Sequence, residues 1–495
     1  MKLFQSTAFL ALVTATPALA DINVSDAWEM IRSSAEDAGM TVTVGDVRDN
    51  GDRLFANNVR YTLIEEGVGV AIHIDEMVFS AISGGKVELI TSNIPVAITV
   101  EGPEGESVEI LASIDAKSGR TVMSGTPEEL LSEFNYPVIT MTLDELIAEG
   151  EALPIEASFS ASDVTGTQTY FAAENEDELA QQVMAYNVQS INMSASGADF
   201  EGEEGEFNMT ASLQNLSGTG SGAIAQISMM GLPAEFESVS TLTRGALKAN
   251  VSFSSPEGGI DIAISDQSGE LNSELKDGIL NYSSGSKGGV FNLMGNQMPI
   301  PPIDVSIAET SSSITVPMKP TPDAQDFGIS MAVEGLQISD LLWSMADPFG
   351  KLPHDPADIR IDLSGNGRLL VDVFSPNFDP EDMTGAPGVL NSITLNELLL
   401  SVVGAKVTAE GSLTNIEENN LAIPTLVGSI FINASGINAL IQSLGEMGLL
   451  PAQQAGFAQM MLGMFTVPGD APDTLKTEIQ LTEDGGILAN GQRLQ

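Results

Sequence analysis

The chain has 495 residues, 68 acidic against 19 basic side chains, and a formal net charge of −49. So negative a surface excludes electrostatic capture of nucleic acid or of an anionic membrane. The sequence contains no cysteine, which excludes disulfides and thiol chemistry, so buried apolar area must carry the stability.

The first twenty residues, "MKLFQSTAFLALVTATPALA", carry one lysine, an apolar run from Phe9 to Val13, a helix-breaking Pro17 and a small-residue ending. Ala18, Leu19 and Ala20 have the pattern of a signal-peptidase site, so the expected mature chain starts at Asp21 and is periplasmic. No later run offers eighteen uninterrupted apolar residues, and no transmembrane span is expected after cleavage. The acidity reads as solvation. Calcium is the alternative, but no D-x-[DN]-x-[DN]-G loop supports it. "DVRDNGDRL", around Asp49 to Asp52, predicts a hairpin turn instead.

From there on, apolar residues recur with period two, the mark of antiparallel strands with one buried face. In "GVGVAIHIDEMVF", Val68, Val70, Ile72 and Ile74 share one face, and Gly69, Ala71, His73 and Asp75 the other. "SVEILASID", "IEASFSAS", "FNMTASLQ", "ALKANVSFSS", "IDVSIAE", "GISMAVEG", "DIRIDLSG", "AKVTAEGSL" and "TLKTEIQLTEDGG" repeat the pattern, separated by turns such as "SGG", "SPEGG" and "KDGI". The expected fold is mainly β: a long curved antiparallel meander with a few short helices.

Helical period replaces the alternation in a few places. Ser25 is the expected cap of a helix over "VSDAWEMIRSSAEDAG", with Trp28, Ile31 and Ala35 facing inward and Gly39 at the stop. Thr126, Pro127 and Glu129 in "TPEELLSEF" have the pattern of a capped helix start, repeated from Thr142 in "TLDELIAEG". An acidic helix is expected from Glu176 to Tyr186. "SDLLWSMADP" predicts a helix from Ser339 that ends near Asp347, because Pro348 cannot continue it.

The stretch from Ile437 to Phe465, "INALIQSLGEMGLLPAQQAGFAQMMLGMF", stands apart. Between Glu418 and Asp470 its Glu446 is the sole ionisable side chain. Two helices joined by "GEMGLLP" are expected. Ile437, Leu440, Ile441 and Leu444 form the apolar stripe of the first, and Phe457, Met460, Met461, Met464 and Phe465 that of the second. Full burial of such side chains is worth about 1.5–3 kcal/mol each, so the pattern predicts that the hairpin packs on the inner face of the C-terminal sheet. Leu444, Phe457 and Met461 are expected among the buried contacts. The same surface, rich in adaptable methionine, would also suit an apolar ligand.

Catalytic constellations are scarce. His73 and His354 are the only histidines; no H-E-x-x-H zinc site, G-x-S-x-G elbow or G-K-[ST] phosphate loop is present. "GTGSG" at Gly218 to Gly222 lies in β-rich sequence and reads as a turn. No catalytic, cofactor-binding or metal-ligating residue is assigned, and no enzyme activity is expected. Two tryptophans and five tyrosines are few for a carbohydrate site, and few for the aromatic girdles of an outer-membrane barrel.

"DLLWSMADPFGKLPHDPADIRIDLSG", "NELLLSVVGAKVTAEGSL", the hairpin, and "DGGILANGQRL" together resemble an uncharacterised family of alphaproteobacterial exported proteins, known only as a domain of unknown function. That resemblance brings no activity and no functional residue. The strands around Gly404 and the "EGSL" ending also resemble the AsmA-type periplasmic proteins, whose long curved sheets are associated with envelope lipid handling. The expected organisation is a leader over 1–20, a β-rich region with helices over 21–190, a β-meander over 191–320 and a C-terminal region over 321–495. "VPMKPTPDAQDFG", Val316 to Gly328, is read as a linker. The expected function is non-enzymatic: a periplasmic envelope protein that holds a lipid or other apolar ligand in a β-sheet groove. The alternative is an envelope scaffold or adhesion protein that binds a protein partner.

Overall fold

The computed structural model describes residues 22–65, 68–101, 107–173, 175, 178–198, 205–224, 237–296, 301–372, 386–416 and 424–494; the expected leader lies outside them. Among the described residues, 28 strands join one antiparallel sheet and there are four helices, the mainly β class expected.

The elements begin with helix α1 (Val24–Asp37) and short strands β1 (Thr41–Thr43) and β2 (Asp46–Asp49). Next come β3 (Arg53–Glu65), β4 (Val68–Ile82), β5 (Lys86–Thr91), β6 (Ile94–Glu101), β7 (Ser107–Asp115), β8 (Arg120–Gly125), β9 (Glu129–Ala148) and β10 (Glu151–Ala152). The middle holds β11 (Ile155–Phe171), β12 (Gln181–Ala198), β13 (Glu206–Ala223), β14 (Ser238–Arg244), β15 (Leu247–Ser255), β16 (Gly258–Asp266), β17 (Ser268–Lys276) and β18 (Ile279–Asn296). Then follow β19 (Ile303–Pro317), β20 (Gln325–Ile338), α2 (Asp340–Ala346), β21 (Ala357–Leu369), β22 (Gly388–Val402), β23 (Ala405–Asn415) and β24 (Leu426–Ser435). The chain closes with α3 (Ile437–Glu446), α4 (Ala452–Phe465), β25 (Val467–Pro468), β26 (Thr474–Leu481), β27 (Ile487–Ala489) and β28 (Gln492–Arg493).

Tight turns set the register. Glu149-Gly150, Asp277-Gly278, Val403-Gly404 and Asn490-Gly491 each join two strands with both residues at positive φ, the two-residue hairpin geometry whose twist matches the flanking strands. The predicted turn at Asp49 to Asp52 is present: Gly51 has φ 87° and donates its N–H to Asp49 Oδ1 at 2.7 Å.

The described residues fall into two compact units. The first is drawn from Met1–Leu153, Ser160–Asn187 and Ala223–Gln226, the second from Pro154–Phe159, Val188–Gly222 and Ile227–Gln495. In the first unit α1 lays Val24, Ala27, Trp28 and Met30 over β3 and β4, where Leu54, Ala56, Val59, Met77 and Phe79 are buried. Trp28 meets Phe79 edge to face, with centroids 6.1 Å apart and planes at 72°, a favoured aromatic geometry. This is a conventional covered core.

Both units use the same uncommon strand topology. In the first, long β4 pairs by one half with β5 and by the other with β6; β5 pairs with β8, β6 with β7, and β8 and β7 share the two halves of long β9. In the second, β13 pairs with β14 and β15, β14 with β17, β15 with β16, and β17 and β16 share β18. Two short strand pairs thus lie end to end between two long strands, once in each unit. Alternation alone did not reveal this repeat, because it resides in connectivity.

Several helix expectations fail. Glu129 to Phe134 and the stretch from Thr142 both belong to β9, which pairs with β8 and β7, while Thr126 to Glu128 form the turn before it. Thr126 Oγ1 does accept the N–H groups of Glu128 and Glu129, each at 3.3 Å, so the capping chemistry is real but closes a hairpin instead of opening a helix. Sheet pairing and the β-branched run around Val138-Ile139-Thr140 override local propensity. The expected acidic helix ends in strand β12 from Gln181; Glu176 and Asp177 lie outside the described residues. The α1 cap is Asn23, whose Oδ1 accepts from Asp26 N–H at 2.9 Å, not Ser25. Val316 to Gly328, expected as a linker, holds the end of β19, a connection over 318–324 and the start of β20, with Thr315 opposite Gly328.

Candidate functional site

The second unit repeats the topology of the first without its cover. Its strand faces follow from register, because residues directly opposite one another point to the same side. One row runs Tyr282, Ile314, Ile329, Leu363, Leu395 across β18 to β22; the next runs Ser284, Ser312, Met331, Ile361, Leu398. The following row is Ser286, Thr310, Val333, Ile359, Leu400. Between β13 and β19 a further row joins Met209, Val251, Ile262, Leu293 and Ile303. The opposite side carries polar ladders such as Thr219–Thr241 and Ser313–Ser330, hydroxyl to hydroxyl at 2.7 and 2.9 Å.

Apolar residues stand at even positions in one half of a strand and at odd positions in the other. The slip occurs at left-handed residues in mid-strand: Asn215 in β13, Gly288 in β18 and Gly335 in β20, with φ 50°, 66° and 65°. The apolar set changes parity at each: against β21 the slip at Gly335 is a one-residue bulge, whereas β13, β18 and the β19–β20 pair keep one register through it, so paired strands change parity together. Asn58 does the same in β3 of the first unit, where burial passes from Leu54 and Ala56 to Val59 and Tyr61.

That both halves line one face is fixed by an ion pair. Arg244 ends β14 and Asp266 ends β16; the guanidinium donates through Nη1 and Nη2 to the two carboxylate oxygens. Arg244 lies in the row of Ser286 and Thr310, and Asp266 opposite Leu247. Asp266 raises the guanidinium pKa further, despite opposing desolvation, so the arginine is charged. Side-chain exposures of 19% and 13% make the pair largely shielded, which costs desolvation that only good pairing offsets.

This face is uncovered. Met331 is 54% exposed, Phe253 46%, Ile264 45% and Leu400 42%, whereas Phe79 under α1 is 0% exposed. Monomeric proteins rarely leave a contiguous apolar surface of this kind without a use for it. A depression of about 410 Å³ lies on it, lined by Leu242, Arg244, Leu271, Met331, Val333 and the hydroxyls of β18 and β19.

The predicted hairpin forms as α3 and α4 but is not core. None of its residues is buried. Ile437, Leu440, Ile441 and Leu444 are half-buried on α3, as are Met461 and Phe465 on α4, while Phe457, Met460 and Met464 are exposed at 59%, 54% and 59%. None of Leu444, Phe457 and Met461 therefore becomes a buried contact; α4 leaves Phe457, Met460 and Met464 in solvent and half-buries Met461 and Phe465. Asp473 caps α3 from a distant turn, accepting from the N–H groups of Asn438 and Ala439 at 3.2 and 3.1 Å. Near α3, helix α2 exposes Leu341 and Met345, and Phe349 follows it. Lys351 reaches Glu446 Oε2 at 2.9 Å and, with Gln442, holds its carboxyl below the usual range. The lone charge of the hairpin is thus paired.

His354 stacks on Trp343, centroids 4.3 Å apart and planes 7° from parallel. His73 Nε2 lies 3.2 Å from Asp75 Oδ1. Among the described residues no group of three or more His, Asp or Glu is placed to hold a metal ion, and no helix is long and apolar enough to cross a membrane. Sequence reasoning missed Arg244 and Asp266. Their signal is a lone arginine and a lone aspartate at strand ends whose neighbours on the face are apolar or hydroxylic. Compared with known protein families, curated proteins and solved structures, the chain finds no match.

Proposed function

We propose that this is a non-enzymatic protein of the periplasmic envelope that holds a lipid or another apolar ligand on the uncovered face of the second unit. The observation that carries the reading is the contrast between two copies of one topology, one covered by α1 with Phe79 fully buried, the other leaving Met331, Phe253 and Leu400 in solvent. Covering such side chains is worth about 25 cal/mol per Å², which a bound acyl chain would gain. The leader-like residues 1–20 support an exported protein, and the resemblance to AsmA-type sheets points the same way. Mass spectrometry of protein purified from native envelope tests it: the reading expects stoichiometric co-purifying lipid, and repeated isolation free of any apolar molecule would overturn it.

A scaffold role is favoured by a separate observation, the exposed apolar side chains Phe349, Phe457, Met460 and Met464 around α2 and α4. A stoichiometric protein partner released by Phe457→Asp, with lipid content unchanged, would support that reading instead.

A further inference from the structure

We infer that the depression around Arg244 is the recognition point for the uncharged ester and hydroxyl region of an acylglycerol-type amphiphile whose chains lie on the flanking apolar rows. The inference rests on the proposed ligand-holding role of the face and names the ligand's polar chemistry.

Polar side chains on this face are concentrated between β14 and β19. Ser284 and Ser312 join hydroxyl to hydroxyl at 2.8 Å, as do Ser286 and Thr310, and both pairs line the same depression as Arg244. Within each pair one hydroxyl donates to the other, so the second keeps a donor for an incoming oxygen. Beyond this island the rows become apolar on both sides: Ile262, Leu293 and Phe291 on one, Ile329, Ile361 and Leu363 on the other. An amphiphile with a polar centre and two hydrocarbon arms matches that order.

Charge selects the class. Arg244 is already neutralised by Asp266 through a bidentate contact, so the island offers donors and acceptors without net positive charge. A phosphate or free carboxylate would meet the Asp266 carboxylate and the field of a chain at −49. Ester carbonyls and a glycerol hydroxyl need only the free hydroxyl donors and the remaining edges of the ion pair.

The test measures binding of three probes to the purified protein: diphenylhexatriene, fluorescent dioleoylglycerol and fluorescent dioleoylphosphatidylglycerol. Two variants accompany the wild type. One is Ser284→Ala, Ser286→Ala, Thr310→Val and Ser312→Ala together; the other is Arg244→Met with Asp266→Leu, which leaves no lone charge. Dioleoylglycerol should bind the wild type best and lose about tenfold in affinity in the hydroxyl variant, the factor expected for two lost hydrogen bonds. Diphenylhexatriene should bind all three proteins alike, which also reports that the variants fold. If it binds but dioleoylglycerol is indifferent to the variants, or the anionic lipid binds more tightly, this inference fails and the ligand-holding face stands. Failure of every probe on the wild type would overturn both.

Discussion

Gly335 in β20 stands against Ala308 in β19: a Cβ built on the glycine would lie 2.7 Å from the alanine Cβ, and the glycine φ is 65°. Strand phase slips at this point, so the apolar sets on its two sides face the same way. Gly335→Ala should destabilise the second unit by about 2–4 kcal/mol, the sum of left-handed strain and steric overlap. Gly350→Ala, at φ 61° with nothing near its Cβ, should cost only the strain, about 1–2 kcal/mol. Adding Ala308→Gly to Gly335→Ala should recover the difference, measured as a double-mutant cycle by calorimetry.

The covered and uncovered faces should respond differently to truncation. Phe79→Ala removes a fully buried ring in contact with Trp28 and should cost about 3–5 kcal/mol. Met331→Ala, at 54% exposure, should cost less than about 1 kcal/mol in the ligand-free protein. Similar losses at both sites in denaturant titrations would show that the second face is covered in solution.

Tyr61 gives the first unit an alkaline limit. Burial pushes its phenol up to about 12, from about 10 in the unfolded chain. The folded state therefore holds the proton more tightly, and the stability this represents is complete below pH 10 and lost as pH rises toward 12. Tyr61→Phe should flatten that loss; Tyr170, also raised to about 12 by burial and by donating its hydroxyl hydrogen bond to Asp37, should retain a share of it. Thermal unfolding between pH 9 and pH 12 checks the slope.

Asp347 sets an acid limit on the loop that presents Phe349. The Lys351 and Leu352 amides hold its carboxyl below the usual range, the latter donating to Oδ2 at 2.7 Å. A depressed folded pKa means the contribution is complete above the unfolded carboxylate value and lost as pH falls through the folded one. Hydrogen-exchange protection factors at Gly350, Lys351 and Leu352, corrected for the intrinsic pH dependence of exchange, should fall on acidification, and Asp347→Asn should lower them already at neutral pH.

On α4, Met461→Asp should lower stability by about 1–3 kcal/mol because the charge would enter a half-covered position. Phe457→Asp should stay within about 0.5 kcal/mol, since that ring is 59% exposed. Equal losses would mean that the whole circumference of the helix is packed.

Period-two alternation made the antiparallel class legible, and Ser339 and Pro348 made α2 legible. The capping pattern at Thr126 misled because the same hydrogen bonds close a turn, and twenty residues of β9 find partners on two neighbouring strand pairs. The uncharged hairpin was visible as two helices. Its exposure was not, since an apolar stripe looks the same whether it meets core or solvent. The open face was hidden for a related reason: the slips at Asn215, Gly288 and Gly335 split it into segments of opposite parity, which the Arg244–Asp266 pair joins.

Met331 and Ser330 are neighbours in sequence on opposite faces of β20, the first in the apolar row and the second bonded to Ser313 at 2.9 Å. A photo-crosslinking residue placed at each position in turn, in cells that produce the protein, tests the ligand face directly. Lipid adducts should form at position 331 and be absent at position 330, as read by mass spectrometry of the purified protein. Adducts at both positions alike, or at neither, would contradict the account.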